Sequence, residues 1–227
     1  MAAISDNLKR VQGLVARAAE RSGRSADAIT LIVVSKTWPA NVVQEAVDAG
    51  AVVLGENRVQ EIQQKYSEIT GSVSWHLIGH LQRNKVKVVL PLVDMIHSVD
   101  SLRLATEIST RSAENNQTTQ VLVQVNTSGE DSKYGVSPDM ASDFVGQVDA
   151  LDGIDVAGIM TIGVFDPDPE TARPNFVALR EVRDRIVGYW PQASTLSMGM
   201  TNDFEVAIEE GATMVRVGTA IFGRRVV

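Results

Sequence analysis

Lys36 closes the apolar run Leu31-Ile32-Val33-Val34-Ser35. Such a run predicts a strand buried on both faces, and the end of such a strand is where α/β proteins place their chemistry. A primary amine at that point can attack a carbonyl and hold it as a Schiff base. The far end of the chain carries Leu196-Ser197-Met198-Gly199-Met200-Thr201 and Met214-Val215-Arg216-Val217-Gly218-Thr219. There Ser197 offers a hydroxyl, Gly199 lets backbone approach a ligand without a Cβ in the way, and Gly218-Thr219 repeats the device. Asn202 followed by Glu205 has capping-box spacing, so a helix starting there would aim free N–H groups at an anion. The alternative is that these glycines only end elements. An amine and an anion cradle together point to a phosphorylated aldehyde held as a Schiff base.

Arg216 alternates with apolar neighbours, so its side chain faces one buried side or a barrel mouth. A buried guanidinium left unpaired would cost about 3–5 kcal/mol. Glu56 could pair with it. Alternatively Arg216 faces a ring nitrogen of a cofactor, where a group that keeps its proton would hold the nitrogen unprotonated and the ring a weak electron sink. Lys36 has its own alternative, a strand-end lysine that extends into solvent. Asn57, in Gly55-Glu56-Asn57, either lies against the ligand or caps the next helix. His76 and His80 flank a strand end and would stand too far apart for a metal pair. His97 reads as a satisfied structural histidine, and Lys85 with Lys87 as a solvated helix face.

The elements that must position these residues follow a strand–helix rhythm. Apolar runs at Leu31–Ser35, Val52–Gly55, Trp75–Gly79, Met95–Ser98, Val121–Asn126, Val156–Ile162, Ser194–Met198 and Met214–Gly218 predict eight strands. Amphipathic stretches at Ala40–Ala49, Val59–Ile69, Asn84–Leu90, Ser101–Ala113, Asp139–Ala150, Glu170–Tyr189 and Phe204–Glu209 separate them. A leading helix over Ser5–Arg21, with Ser5 as its N-cap, precedes the first strand. Eight strands, with polar residues gathered just after them, predict one (β/α)8 TIM-type barrel over 1–227 rather than an open doubly wound sheet.

Composition narrows the partners. The 227 residues carry a net charge of -7, which argues against a nucleic-acid phosphate binder. With no cysteine, disulfides, thiolate nucleophiles and zinc–thiolate sites are excluded. No run is long enough for a membrane span, and the first eleven residues lack the apolar stretch of a secretory signal, so a cytoplasmic protein is expected.

Val33-Val34-Ser35-Lys36-Thr37, Gly55-Glu56-Asn57-Arg58-Val59-Gln60-Glu61 and Trp75-His76-Leu77-Ile78-Gly79-His80-Leu81-Gln82-Arg83-Asn84-Lys85 stand in this order, followed by Ser197-Met198-Gly199-Met200 and Val215-Arg216-Val217-Gly218-Thr219-Ala220-Ile221-Phe222-Gly223. In these motifs the chain resembles the YggS-like pyridoxal phosphate homeostasis proteins, also called the proline synthetase co-transcribed homologue family. The resemblance implies a barrel of PLP fold type III, like the N-terminal domain of alanine racemase. It implies Lys36 as the lysine of the internal aldimine with pyridoxal 5′-phosphate (PLP), and Arg216 facing the pyridine nitrogen. It further implies that Ser197, Gly199, Gly218 and Thr219 hold the phosphate, with Met200 and Asn57 near the cofactor. Thr201 stands where the family pattern has a serine, which keeps a hydroxyl. The implied role is binding and buffering of PLP without a dedicated turnover, by a monomer, with apo PLP-dependent enzymes as potential recipients.

An amino-acid racemase is the competing reading. Racemisation needs a base on each face of the substrate carbon. Lys36 serves one face, and Tyr134, in Ser132-Lys133-Tyr134-Gly135, is the substitute for the second. A cofactor-free Schiff-base aldolase would use the lysine but leaves Arg216 without a purpose.

Overall fold

The computed structural model describes residues 2–130 and 134–224. Eight parallel strands close into a barrel in chain order: β1 Thr30–Val34, β2 Val53–Glu56, β3 Ser74–Leu77, β4 Met95–Val99, β5 Thr119–Gln124, β6 Ile154–Met160, β7 Thr195–Ser197 and β8 Met214–Val217. The first and last strands complete the ring, with Thr30 opposite Met214, Ile32 opposite Arg216 and Val33 opposite Val217. That register brings the two ends of the sequence, where the chemistry was read, into adjacent strands.

The helices are α1 Ala2–Arg21, α2 Ala40–Asp48, α3 Val59–Tyr66, α4 Val86–Val89, α5 Leu102–Glu114, α6 Ala141–Asp149, α7 Arg173–Ile186, α8 Phe204–Glu209 and α9 Thr219–Phe222. The segment expected as one helix over Asn84–Leu90 is three short pieces, and Pro91 stands in the first turn of the last one. Helix α1 begins at Ala2, so Ser5 lies inside it and is not its N-cap. Its buried stripe, Leu8, Val11, Val15, Ala18 and Ala19, packs on α8 and α9 beside the closing strands.

The main core fills the space between strands and helices, with Leu54, Ile62, Ile96, Ile108 and Phe176 sealed in it. Each such side chain contributes about 1.5–3 kcal/mol of burial. Met95, Leu122 and Met160 form a separate small cluster, with Ala157 and Met214 against it. Met95 shares a strand face with His97, and Met214 with Arg216. This apolar layer therefore lies beneath a polar layer nearer the mouth. Among the described residues, no helix is long and apolar enough to cross a membrane.

Candidate functional site

Lys36 stands two residues beyond β1, in a turn rather than on the strand. The Ser35 N–H still donates to the Gly55 carbonyl at 3.0 Å, and the chain then turns through Thr37, whose φ is +66°. Lys36 is half-buried, and its ammonium takes no hydrogen bond or ion pair among the described residues.

Arg216 is buried in the interior of β8 at 4% exposure. Its Nη1 donates to the Ser197 hydroxyl at 2.6 Å and its Nη2 to the Thr161 carbonyl at 2.7 Å. Both acceptors are neutral. Burial pushes the guanidinium down to about 10, opposed by Asp203, so it stays charged at neutral pH. Glu56, the carboxylate considered as its partner, is elsewhere. It accepts from Lys65 Nζ at 2.6 Å and from the Ser35 hydroxyl at 2.7 Å, behind the barrel wall.

The Ser197 hydroxyl is also 3.0 Å from His97 Nδ1, and His97 Nε2 is 2.9 Å from His76 Nδ1. Burial holds His76 down to about 4 and His97 well below its usual range, so both rings are neutral at neutral pH. One proton order pairs the serine hydrogen as well. Arg216 donates to Ser197, Ser197 to His97 Nδ1, and His97 Nε2 to His76 Nδ1. Ser197, the expected phosphate residue, has its hydroxyl between Arg216 and His97 in this structure. His97 is the satisfied histidine expected, but its part in supporting Arg216, and that of His76, went unread. Strand parity was the available signal, because both stand on inward positions of neighbouring strands.

Gly199 has φ +89°, and a Cβ there would stand 2.5 Å from Ala207 Cβ and 2.9 Å from Phe204 Cα. Close packing of α8 therefore demands glycine. The N-cap of α8 is Asp203, not Asn202, and its carboxylate turns back to accept the Met200 N–H. At the next strand end, Gly218 presses on Val34: an added Cβ would meet the Val34 carbonyl oxygen at 2.9 Å. Among the described residues, the N–H groups of Gly218, Thr219 and Ala220 at the start of α9 have no backbone acceptor, and Thr219 is exposed. This set of donors lies against the end of the strand that leads to Lys36.

Asn57 is half-buried just past β2. It does not cap the next helix: Arg58 holds that position and makes no side-chain cap. The Asn57 backbone packs on Gly79, where a Cβ would fall 2.3 Å from the Asn57 carbonyl oxygen. His80 has its Nδ1 3.3 Å from Asp100 Oδ2, whereas His76 meets His97. Tyr134 is exposed, and its ring stacks on His80 with centroids 3.9 Å apart. Ser132 and Lys133 of the same loop lie outside the described residues. Lys87 is exposed and Lys85 half-buried, in keeping with a solvated helix face. No group of three or more metal-ligating side chains occurs among the described residues.

Fold and site together define a (β/α)8 protein with a lysine just after β1, a buried arginine on the paired strand β8 and the start of α9 just after it. The pattern of the alanine racemase N-terminal domain matches residues 2–226, and the chain belongs to that family. A relative from Aquifex aeolicus, named pyridoxal phosphate homeostasis protein, is 44% identical over 97% of each chain. A crystal structure of an unknown protein from Bifidobacterium adolescentis is 40% identical and superposes with a TM-score of 0.92, covering 97% of this chain and 94% of that one. PipY of Synechococcus elongatus, solved with PLP bound, is 32% identical with a TM-score of 0.83, covering 97% of this chain and all of that one.

Proposed function

We propose that this protein binds pyridoxal 5′-phosphate and serves in its homeostasis, as the relatives that carry that name do. The observation that carries the reading is Arg216, a buried cation with only neutral partners, in the strand beside the turn that holds a free amine. Such an arrangement favours a ligand that brings both an acceptor and a negative charge. Lys36 Nζ would hold the PLP aldehyde carbon. The N–H groups of Gly218 and Thr219, with the Thr219 hydroxyl, would hold the phosphate, and Gly199, Met200 and Asn57 would line the approach. Arg216 would face the pyridine nitrogen, oriented by Ser197. When bound, PLP supplies an electron sink for carbanions, and a ring kept unprotonated by Arg216 is a weak one. Holding the cofactor is thus favoured over turning substrates over.

The role extends, in this proposal, to a cytoplasmic monomer that releases PLP to apo-enzymes. The experiment is a PLP titration of the purified protein, followed by a screen of amino acids for loss of stereochemistry or of the amino group. One equivalent of PLP bound, with turnover no faster than with free PLP, is the expected result. Rapid racemisation of one amino acid would replace this reading with the racemase, and the Tyr134–His80–Asp100 group would then be the first place to seek its second base.

A further inference from the structure

The turn that carries Lys36 is gripped from behind the barrel wall by a buried charge cluster. On α3, Lys65 Nζ donates to the Ser35 carbonyl at 2.9 Å, to Glu56 Oε1 at 2.6 Å and to Glu61 Oε2 at 3.1 Å. Glu56 Oε1 also accepts from the Ser35 hydroxyl, and Glu61 Oε2 accepts the Thr37 N–H. The Ser35 carbonyl belongs to the peptide unit before Lys36, and the Thr37 N–H to the unit after it. Each peptide unit flanking Lys36 is therefore fixed by a charged side chain of α3.

The cluster is costly for a merely structural device. Lys65 is 5% exposed and Glu56 fully buried, and Glu56 Oε2 is sealed in with no hydrogen-bond partner among the described residues. A well-packed apolar pair would stabilise this spot as well or better. Charges are what a held carbonyl and a held N–H require, because hydrogen bonds to ionised groups are the strong ones. They also sustain Thr37 in a left-handed backbone that a β-branched residue resists.

We propose that Lys65, Glu61 and Glu56 are positioning residues for Lys36, fixing the backbone from which its amine reaches the mouth. The consequence for PLP rests on the function proposed above; the backbone clamp itself does not. The expectation from sequence missed this cluster, although Val59, Ile62 and Lys65 fall on one helix stripe and so marked Lys65 as inward-facing.

The test uses Glu61→Ala, Glu61→Gln and Lys65→Met in the full chain. Hydrogen exchange of the PLP-free protein reads the clamp, and the rate at which borohydride fixes PLP on Lys36 reads its consequence. For Glu61→Ala we expect the Thr37 amide to exchange at least tenfold faster with β5 and β6 unchanged, and PLP capture to slow at least tenfold. Glu61→Gln, which keeps an oxygen for the Thr37 N–H, should recover part of both. Unchanged exchange and capture in Glu61→Ala would overturn the proposal, as would faster exchange spread evenly over the barrel, which marks a cluster that only stabilises the fold. If Lys65→Met fails to fold, the less buried Glu61 decides alone. A wild-type protein that takes no PLP would defeat the proposed function, and Thr37 exchange would still decide the clamp.

Discussion

The guanidinium of Arg216 donates to the Ser197 hydroxyl at 2.6 Å, and among the described residues no carboxylate hydrogen-bonds to it. Two neutral hydrogen-bond acceptors and the Coulombic pull of Asp203 are what offset the burial of this charge. Replacing Arg216 by methionine should leave the PLP-free protein as stable as before or more so, since burying a charge with no hydrogen-bonded counterion is unfavourable. PLP affinity should fall at least tenfold in the same variant. Urea unfolding and equilibrium dialysis check the two halves.

Ser197→Ala should act in the opposite sense on stability. It strands one Arg216 N–H and His97 Nδ1 inside the barrel, at a cost of about 1–3 kcal/mol for a buried group left unsatisfied. Urea unfolding of this variant beside Arg216→Met separates the support from the group supported. A variant as stable as wild type would contradict the proton order assigned to this layer.

Acid should weaken the fold through the paired histidines. His76 titrates near 4 in the folded protein against an ordinary 6.5. Between those values the unfolded chain binds the proton and the folded one does not, so the contribution is complete above pH 6.5 and lost as the pH falls to 4. For His76 alone that is roughly 3 kcal/mol. His97 acts in the same direction, while Glu56 and Asp203, both raised by burial, oppose it. His76→Gln should lose less stability than wild type between pH 7.5 and pH 5 in urea titrations.

Gly199→Ala should damage the fold rather than the ligand contacts alone. Its φ of +89° strains any side chain, and the new Cβ would press on Ala207 and Phe204. Overpacking of this kind costs about 1–3 kcal/mol before backbone strain is added. Thermal unfolding without PLP should show the loss.

The barrel was legible because buried parallel strands read as unbroken runs of leucine and β-branched residues, Leu31 to Val34 being the plainest. The amine and the arginine were legible because each interrupts such a run. What escaped was pairing across the fold. Glu56 was offered to Arg216 because both are charged and near strand ends, yet they lie on opposite sides of the barrel wall, and Lys65 takes Glu56. Ser197 reads as a phosphate residue because a serine near a glycine fits a cradle; its pairing with Arg216 and His97 across the barrel has no mark in the local sequence. Asn202 has the spacing of a cap, but Asp203 turns back to the Met200 N–H and moves the helix start by one residue.

The central claim is that Lys36 is the group that holds PLP. The most direct test reduces the PLP-loaded protein with borohydride and maps the labelled peptide. A yellow protein that bleaches, with one pyridoxyl phosphate on Lys36 and none in Lys36→Ala, is the predicted result. Label on another lysine, or reducible PLP retained by Lys36→Ala, would contradict it.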